Sequence, residues 1–401
     1  MSIFSAFRYP NYRLWFIGQL VSLVGTWMQT TAQGYLVYQL TGSPAYLGYV
    51  GFAAGLPAWL FTLYGGVIAD RMPRRILIIM AQSAMMVLAF ILAALVYTHT
   101  VQPWHIIALA FLLGIANAFD SPARQSFVID LVGREELTTA IALNSTMFNG
   151  AAVVGPVVAA ATYAAVGPVW CFSINGLSFI AVIIALTLMK MQKFIRPERV
   201  TSTLSEAKAG LSYTWSQPVI RSLIITMVVI STFGMGMLAL LPAWAVNVLK
   251  GDVTTNGWLL SARGVGAMSG ALMVALLSRY RFKGKLWGIG IIFQPLFLLA
   301  FAFTIWEPLS LLILVGLGMS FMVVVIVTNA MIQSLVTDEL RGRVMSIYAL
   351  TFFGTVPIGS LLAGLMADRI GEQVTVGIFG TILLVFAGWS WLRMRAVREV
   401  G

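Results

Sequence analysis

The chain has 401 residues, of which 59% are hydrophobic and 10% charged, with a formal net charge of +11 and a mean hydropathy of +0.90. Soluble domains carry about 25% charged residues, so a single water-soluble core is excluded. A transmembrane helix needs about 20 apolar residues, which allows roughly a dozen spans, and no segment has the alternating pattern of an outer-membrane barrel. The basic excess is accounted for by the positive-inside rule, so no nucleic-acid partner is expected. The one cysteine, Cys171, lies in an apolar segment, which leaves no internal disulfide. Residues 1–10 lack the short apolar core of a cleavable signal, and the first span is expected to serve as its own insertion signal.

Twelve helices are predicted, at about 12–39, 44–69, 75–98, 103–124, 138–165, 168–190, 220–248, 255–279, 286–305, 308–335, 343–369 and 373–393. Breakers mark the outer turns: Thr41-Gly42-Ser43-Pro44, Gln102-Pro103, Gly167-Pro168, Glu307-Pro308 and Gly371. With both termini in the cytoplasm, every Lys and Arg except Lys250, Arg369 and Arg263 falls on the inner side. Between the sixth and seventh spans runs the longest connection, 191–219. Thr203-Leu204-Ser205-Glu206 fits a capping box. Leu204, Ala207, Leu211 and Trp215 follow at helical spacing, as in an interfacial helix or a plain linker helix. The expected organisation is a six-helix bundle over 1–190, a cytoplasmic linker over 191–219 and a second six-helix bundle over 220–401. Gln125-Ser126-Phe127-Val128 reappears as Gln333-Ser334-Leu335-Val336, and Glu135-Glu136-Leu137 as Asp338-Glu339-Leu340, each between a fourth and a fifth span. Such pseudo-symmetric halves place a transport site near the bilayer midplane.

Polar residues inside spans are the natural site candidates, because unsatisfied polar groups are costly in hydrocarbon. Gln19, Ser22, Thr26, Gln29 with Thr30, and Gln33 share one face of the first span and are expected to line a cavity or pack on another helix. Ser231, Thr232 and Met235 occupy the equivalent seventh span, and Asn149, Tyr348 and Phe352 are further candidates. Arg263 lies within the eighth span. An arginine at the bilayer centre costs about 2.5–3.5 kcal/mol on insertion scales. It is expected either to anchor an anionic or strongly polar substrate group, or to snorkel to the outer interface or pair with Asp252 or a carbonyl. Amides, hydroxyls, Met and aromatics together suit an amphipathic organic solute.

Charges cluster at the inner ends. Gly65 and Gly66 permit close helix approach, and Asp70, Arg71, Arg74 and Arg75 follow within one turn. Asp120 and Arg124 are spaced as a helical ion pair, with Arg71 as the other candidate partner of Asp120. Gly264-Val265-Gly266-Ala267-Met268-Ser269-Gly270 has the wrong spacing for a nucleotide loop and reads as a packing face. No metal-ligand cluster, cofactor motif or nucleophile–base pair stands out, so no cofactor is expected and the chain is not read as an enzyme.

Gly66-x-Ile68-Ala69-Asp70-Arg71-x-x-Arg74-Arg75 resembles the loop 2–3 signature of the major facilitator superfamily, with Pro73 where the family usually has Gly. Asp130 to Leu137 and Asp338 to Val344, which contains Arg341 and Arg343, resemble the branch that includes the enterobactin exporters. The resemblance implies an all-α fold of twelve transmembrane helices. It also implies that Asp70 meets the start of the eleventh span in a cytoplasmic gate; the alternative is that these charges only set topology. Gly155-Pro156 resembles the family's antiporter motif, but its following Gly pair is Ala159-Ala160. The arginine many proton-driven members carry in the fourth span is replaced by Ala110, so proton coupling rests on the resemblance, with Asp120 as the best carrier. The chain is expected to be a monomeric secondary transporter of a bacterial cytoplasmic membrane, exporting a siderophore or drug-like amphipath by rocker-switch alternating access. An importer or a lipid or lysolipid flippase of the same fold stands as an alternative, and from other classes a receptor or a lipid-modifying enzyme.

Overall fold

A computed structural model describes residues 4–191, 203–277 and 283–398; at several helical positions, among them Asp70 and 203–209, only the backbone is described. The described residues are almost entirely helical. In order they form α1 (Pro10–Thr41), α2 (Pro44–Arg71), α3 (Arg74–Tyr97), α4 (Pro103–Phe127), α5 (Leu137–Val166), α6 (Pro168–Leu188), α7 (Thr203–Ser216), α8 (Pro218–Val229), α9 (Leu241–Asn247), α10 (Val253–Leu277), α11 (Lys283–Phe303), α12 (Glu307–Leu335), α13 (Asp338–Ile370), α14 (Glu372–Arg393) and α15 (Arg395–Arg398).

Helix ends follow local chemistry. Proline opens α1, α2, α4, α6 and α8, where its missing N–H costs nothing and its fixed φ suits the first turn. Gly167 (φ +88°) ends α5 and starts α6, and Gly371 (φ +83°) does the same between α13 and α14. Both sit in the left-handed region, which glycine adopts without a Cβ penalty.

Ten segments among the described residues are long and apolar enough to cross a membrane. Helices α1 and α2 have spanning length, at 32 and 28 residues. In α1 the stripe of Gln, Ser and Thr lowers the mean hydropathy. The expected seventh span differs in kind from its neighbours. Between α8 and α9 lie a π-helical segment, Ile230–Met235, and a 3-10 turn, Met237–Leu240. Gly234, Gly236 and Pro242 supply the cause: proline removes a backbone donor and clashes with the preceding turn, and glycine tolerates the altered winding.

The chain forms two compact units. The first comprises 1–41, 53–199 and 256–261. In it α1 packs on α5 and α6, and α3 on α4 and α6. Tyr12, Trp15, Ile78, Phe127, Leu186 and Met189 are buried together. Residues 256–261 join this unit on α5: a methyl at Gly257 would meet Ala160 and the Pro156 carbonyl, and Ser261 donates to the Val153 carbonyl at 2.7 Å.

The second unit comprises 42–52, 200–255 and 262–401. Its core includes α11, α12 and α14, with Trp244 stacked on Phe301 at 4.4 Å between ring centroids. Residues 42–52 pack here on α13, where Gly48 lies against Ser360 and Gly364. Helix α7 also packs on α13, with Gly210 against Arg343, and leaves Leu211 and Trp215 exposed. The side chains of the expected capping box at 203–206 lie outside the described residues.

Candidate transport site

In the first unit the polar stripe of α1 is divided. Gln29 is buried and accepts from Asn175 Nδ2 on α6 at 2.6 Å. Asn175 is braced in turn by Ser178, which donates to its carbonyl at 2.7 Å. Gly25 sits against the same Asn175 and Ser178 side chains. Gln19, also buried, accepts from Arg124 Nη1 at 3.5 Å. These two amides therefore join helices, the second of the two arrangements expected for that face. The physical reason is that α1 packs on α6 and α5, so the buried side of its stripe needs internal partners. Ser22 and Gln33 are buried as well. Thr26 is half-buried and Thr30 exposed, and their hydroxyls donate back to the carbonyls of Ser22 and Thr26, each at 2.9 Å. Asn149 on α5 is half-buried and donates to the Ser145 carbonyl at 2.8 Å.

A charge network crosses the inner part of this unit. Asp120 is buried; Arg124 Nε stands 3.3 Å from its Oδ2, and Gln82 Nε2 on α3 donates to its Oδ1 at 3.1 Å. Of the two partners expected for Asp120, the structure pairs it with Arg124, while Arg71 is exposed. Arg74 pairs with Asp130 at 3.0 Å and donates to the Ser126 carbonyl at 3.1 Å. Arg75 donates to the carbonyls of Thr187 and Met189 at 2.8 and 3.2 Å, tying α3 to the end of α6. The side chain of Asp70 lies outside the described residues. Gly65, not Gly66, makes the close approach: a methyl there would overlap the Ala118 carbonyl on α4, whereas one at Gly66 would meet nothing among the described residues. Gly155 lies against Trp27 and the Val24 carbonyl, and Pro156 is buried beside it. In the second unit Arg341 pairs with Asp338 at 2.5 Å on the surface.

The second unit brings two of the expected site residues to the Arg263 cation: Met235 directly and Phe352 through Phe321. Arg263 on α10 donates Nη2–H to Met235 Sδ at 2.9 Å. Its guanidinium lies 5.8 Å from the Phe321 ring centre, within the range of a cation–π contact. Phe321 in turn lies 6.1 Å from the Phe352 ring. The Arg263 Nε is shielded from solvent and has no acceptor, and the residue as a whole is half-buried. Asp252, the expected alternative partner, instead caps α10 by accepting from the Thr254 and Thr255 amides at 2.8 and 3.4 Å. Tyr348 is buried and donates to the Val325 carbonyl at 3.0 Å. Thr232 donates to the Val228 carbonyl at 2.7 Å, and Ser231 is buried with no partner. Phe321, Gln82, Asn175 and Gln294 were not singled out from the sequence. For the three amides a signal existed, since each is the one Asn or Gln of a largely apolar helix; Phe321 is one of many aromatics and carries none.

These helices, with a half-buried cation and a buried carboxylate, are those of an integral-membrane protein, and the family match makes it a transporter. The chain belongs to the transmembrane secretion effector family of the major facilitator superfamily, whose family model matches residues 1–399. It is 28% identical over 369 residues to the multidrug efflux pump Tap of Mycolicibacterium fortuitum, covering 89% of each chain. It is also 28% identical over 383 residues to the staphyloferrin A transporter of Staphylococcus aureus, covering 92% of each. To macrolide efflux protein A of Streptococcus pyogenes it is 24% identical, covering 95% of this chain and 96% of that one. In fold it matches a bacterial homologue of the human lysosomal transporter Spinster (TM-score 0.75, 13% identity, 97% of each chain). It likewise matches the nucleoside transporter NupG (TM-score 0.76, 14% identity, 96% of this chain and 100% of that one).

Proposed function

We propose that the protein exports an amphipathic organic solute, drug-like or siderophore-like, across a bacterial cytoplasmic membrane by alternating access, with both termini in the cytoplasm. The observation that carries this is the group around Arg263: a cation with unspent donors, set against a thioether and the Phe321 ring, which Phe352 backs. Such a lining pairs one polar anchor with adaptable apolar surface, which suits a solute with a charged or polar end and a greasy body. The relatives, a multidrug efflux pump, a macrolide efflux protein and a staphyloferrin A transporter, support the same class of cargo. Proton antiport is part of the proposal, with Asp120 as the carrier, because it is a buried carboxylate within a span, and such groups mark ion pathways.

The test is accumulation of a panel of amphipathic dyes and antibiotics in a bacterial host lacking its own efflux pumps. Expression of the protein is expected to lower accumulation of at least one compound, and Asp120→Asn at equal expression to abolish the effect. Raised accumulation would indicate an importer. No change for any compound, with lipid scrambled between leaflets of reconstituted vesicles, would favour a flippase.

A further inference from the structure

We propose that Met235 is a placeholder on Arg263, and that a carboxylate of the cargo displaces it and thereby acts on the π-helical segment Ile230–Met235. This deepens the export proposal and rests on it for the identity of the site.

A guanidinium presents five N–H donors, and a thioether is a weak acceptor for any of them. Among the described residues no carboxylate lies within ion-pair distance of Arg263, and its Nε has no acceptor. The acids of the outer ends are engaged elsewhere: Asp252 caps α10, Glu307 accepts from Thr255 Oγ1 at 3.4 Å, and Glu372 accepts from Asn247 Nδ2 at 2.6 Å. The arginine cannot readily slide away from its depth. Gly318 on α12 lies against its carbonyl, and Gly266, one turn on, lies against the Val315 carbonyl. Ten residues into α10 at 1.5 Å each, it stands about 15 Å from the helix start. A carboxylate could take two of its donors side by side, which Met235 cannot.

Met235 is the last residue of the π-helical segment. Gly234, just before it, abuts the side-chain amide of Gln294 on α11. Gln294 is fully buried, and among the described residues neither of its polar atoms has a partner. Buried polar groups are rarely left so. The segment is thus held at its end by a weak, exchangeable contact and flanked by an amide with unused donors and acceptors. When Met235 leaves Arg263 and the segment rewinds, its carbonyls change register, and Gln294 is placed to bond one that is freed. Short π segments inside helices occur frequently at functional sites.

The test uses the full chain in lipid nanodiscs with 2-naphthoate and its uncharged counterpart 2-naphthamide, measuring binding by calorimetry and backbone amide exchange over 230–237. Wild type should bind naphthoate about tenfold more tightly than naphthamide, as a charge-assisted pair predicts. Arg263→Gln should erase that preference, and Arg263→Lys should keep part of it. Met235→Leu should tighten naphthoate binding roughly threefold by removing the weak competing acceptor, and naphthamide binding by less, since its carbonyl is the weaker acceptor. Naphthoate should alter exchange over 230–237 in wild type and not in Arg263→Gln. Equal affinity for the two probes in wild type, or naphthoate binding weakened by Met235→Leu, would overturn the proposal. If Arg263→Gln does not fold, Met235→Leu and Arg263→Lys still decide it. Export with charge-blind binding would remove this site and spare the export proposal; charge-selective binding without export would do the reverse.

Discussion

Gln82 on α3 donates to one oxygen of Asp120 at 3.1 Å, while Arg124 holds the other at 3.3 Å. The carboxylate is buried but Arg124 is partly exposed. Losing the two partners should therefore have unequal consequences. Arg124→Ala leaves a buried charge without its counterion, a loss worth about 3–5 kcal/mol where the remaining charge is fully enclosed. Asp120→Ala leaves an arginine that water can reach, and should cost less. Unfolding midpoints in detergent should fall in the order Arg124→Ala, then Asp120→Ala, with the double variant no worse than Arg124→Ala alone. The reverse order would show that the pair does not balance charge in this way.

Gly65 and Gly66 are adjacent in sequence and opposite in surroundings. A methyl at Gly65 would run into the Ala118 carbonyl, which is backbone and cannot swing aside, whereas one at Gly66 meets none of the described residues. Gly65→Ala is expected to cost about 1–3 kcal/mol through overpacking. Gly66→Ala should be neutral or gain up to about 1 kcal/mol of helix propensity. Thermal unfolding of the two variants side by side checks this, and equal effects would contradict the placement of α2 against α4.

The bond between Gln29 and Asn175 makes the polar stripe of α1 testable. Gln29→Ala and Asn175→Ala should each destabilise by about 1–2 kcal/mol, because each strands its partner's amide in a buried site. Their effects should be strongly non-additive in a double-mutant cycle. Affinity for exported compounds should change little in the variants that fold. A large loss of affinity with unchanged stability would return Gln29 to the cargo site.

What the sequence disclosed and what it hid differ in kind. Span positions were legible because long apolar runs and proline or glycine turns are local signals; Gly167-Pro168 and Gly371 lie where helices end. The winding between Pro218 and Asn247 was not, since glycines and a proline announce irregularity without specifying it. Asp120 with Arg124 was readable from a four-residue spacing. Gln82, Asn175 and Phe321 reach their partners across helix packing that no spacing encodes. Arg263 was conspicuous as a lone charge in a span, but its partner Met235 lies on another segment, while Asp252 accepts from the first amides of α10.

Export itself is most directly tested in inverted membrane vesicles carrying the protein, energised by an imposed pH gradient and supplied with an amphipathic dye from the panel. The vesicle interior then corresponds to the outside of the cell. The predicted result is dye accumulation that depends on the protein and the gradient and is absent with Asp120→Asn. Dye driven out of inverted vesicles, or accumulation indifferent to both the gradient and Asp120, would contradict a proton-coupled exporter.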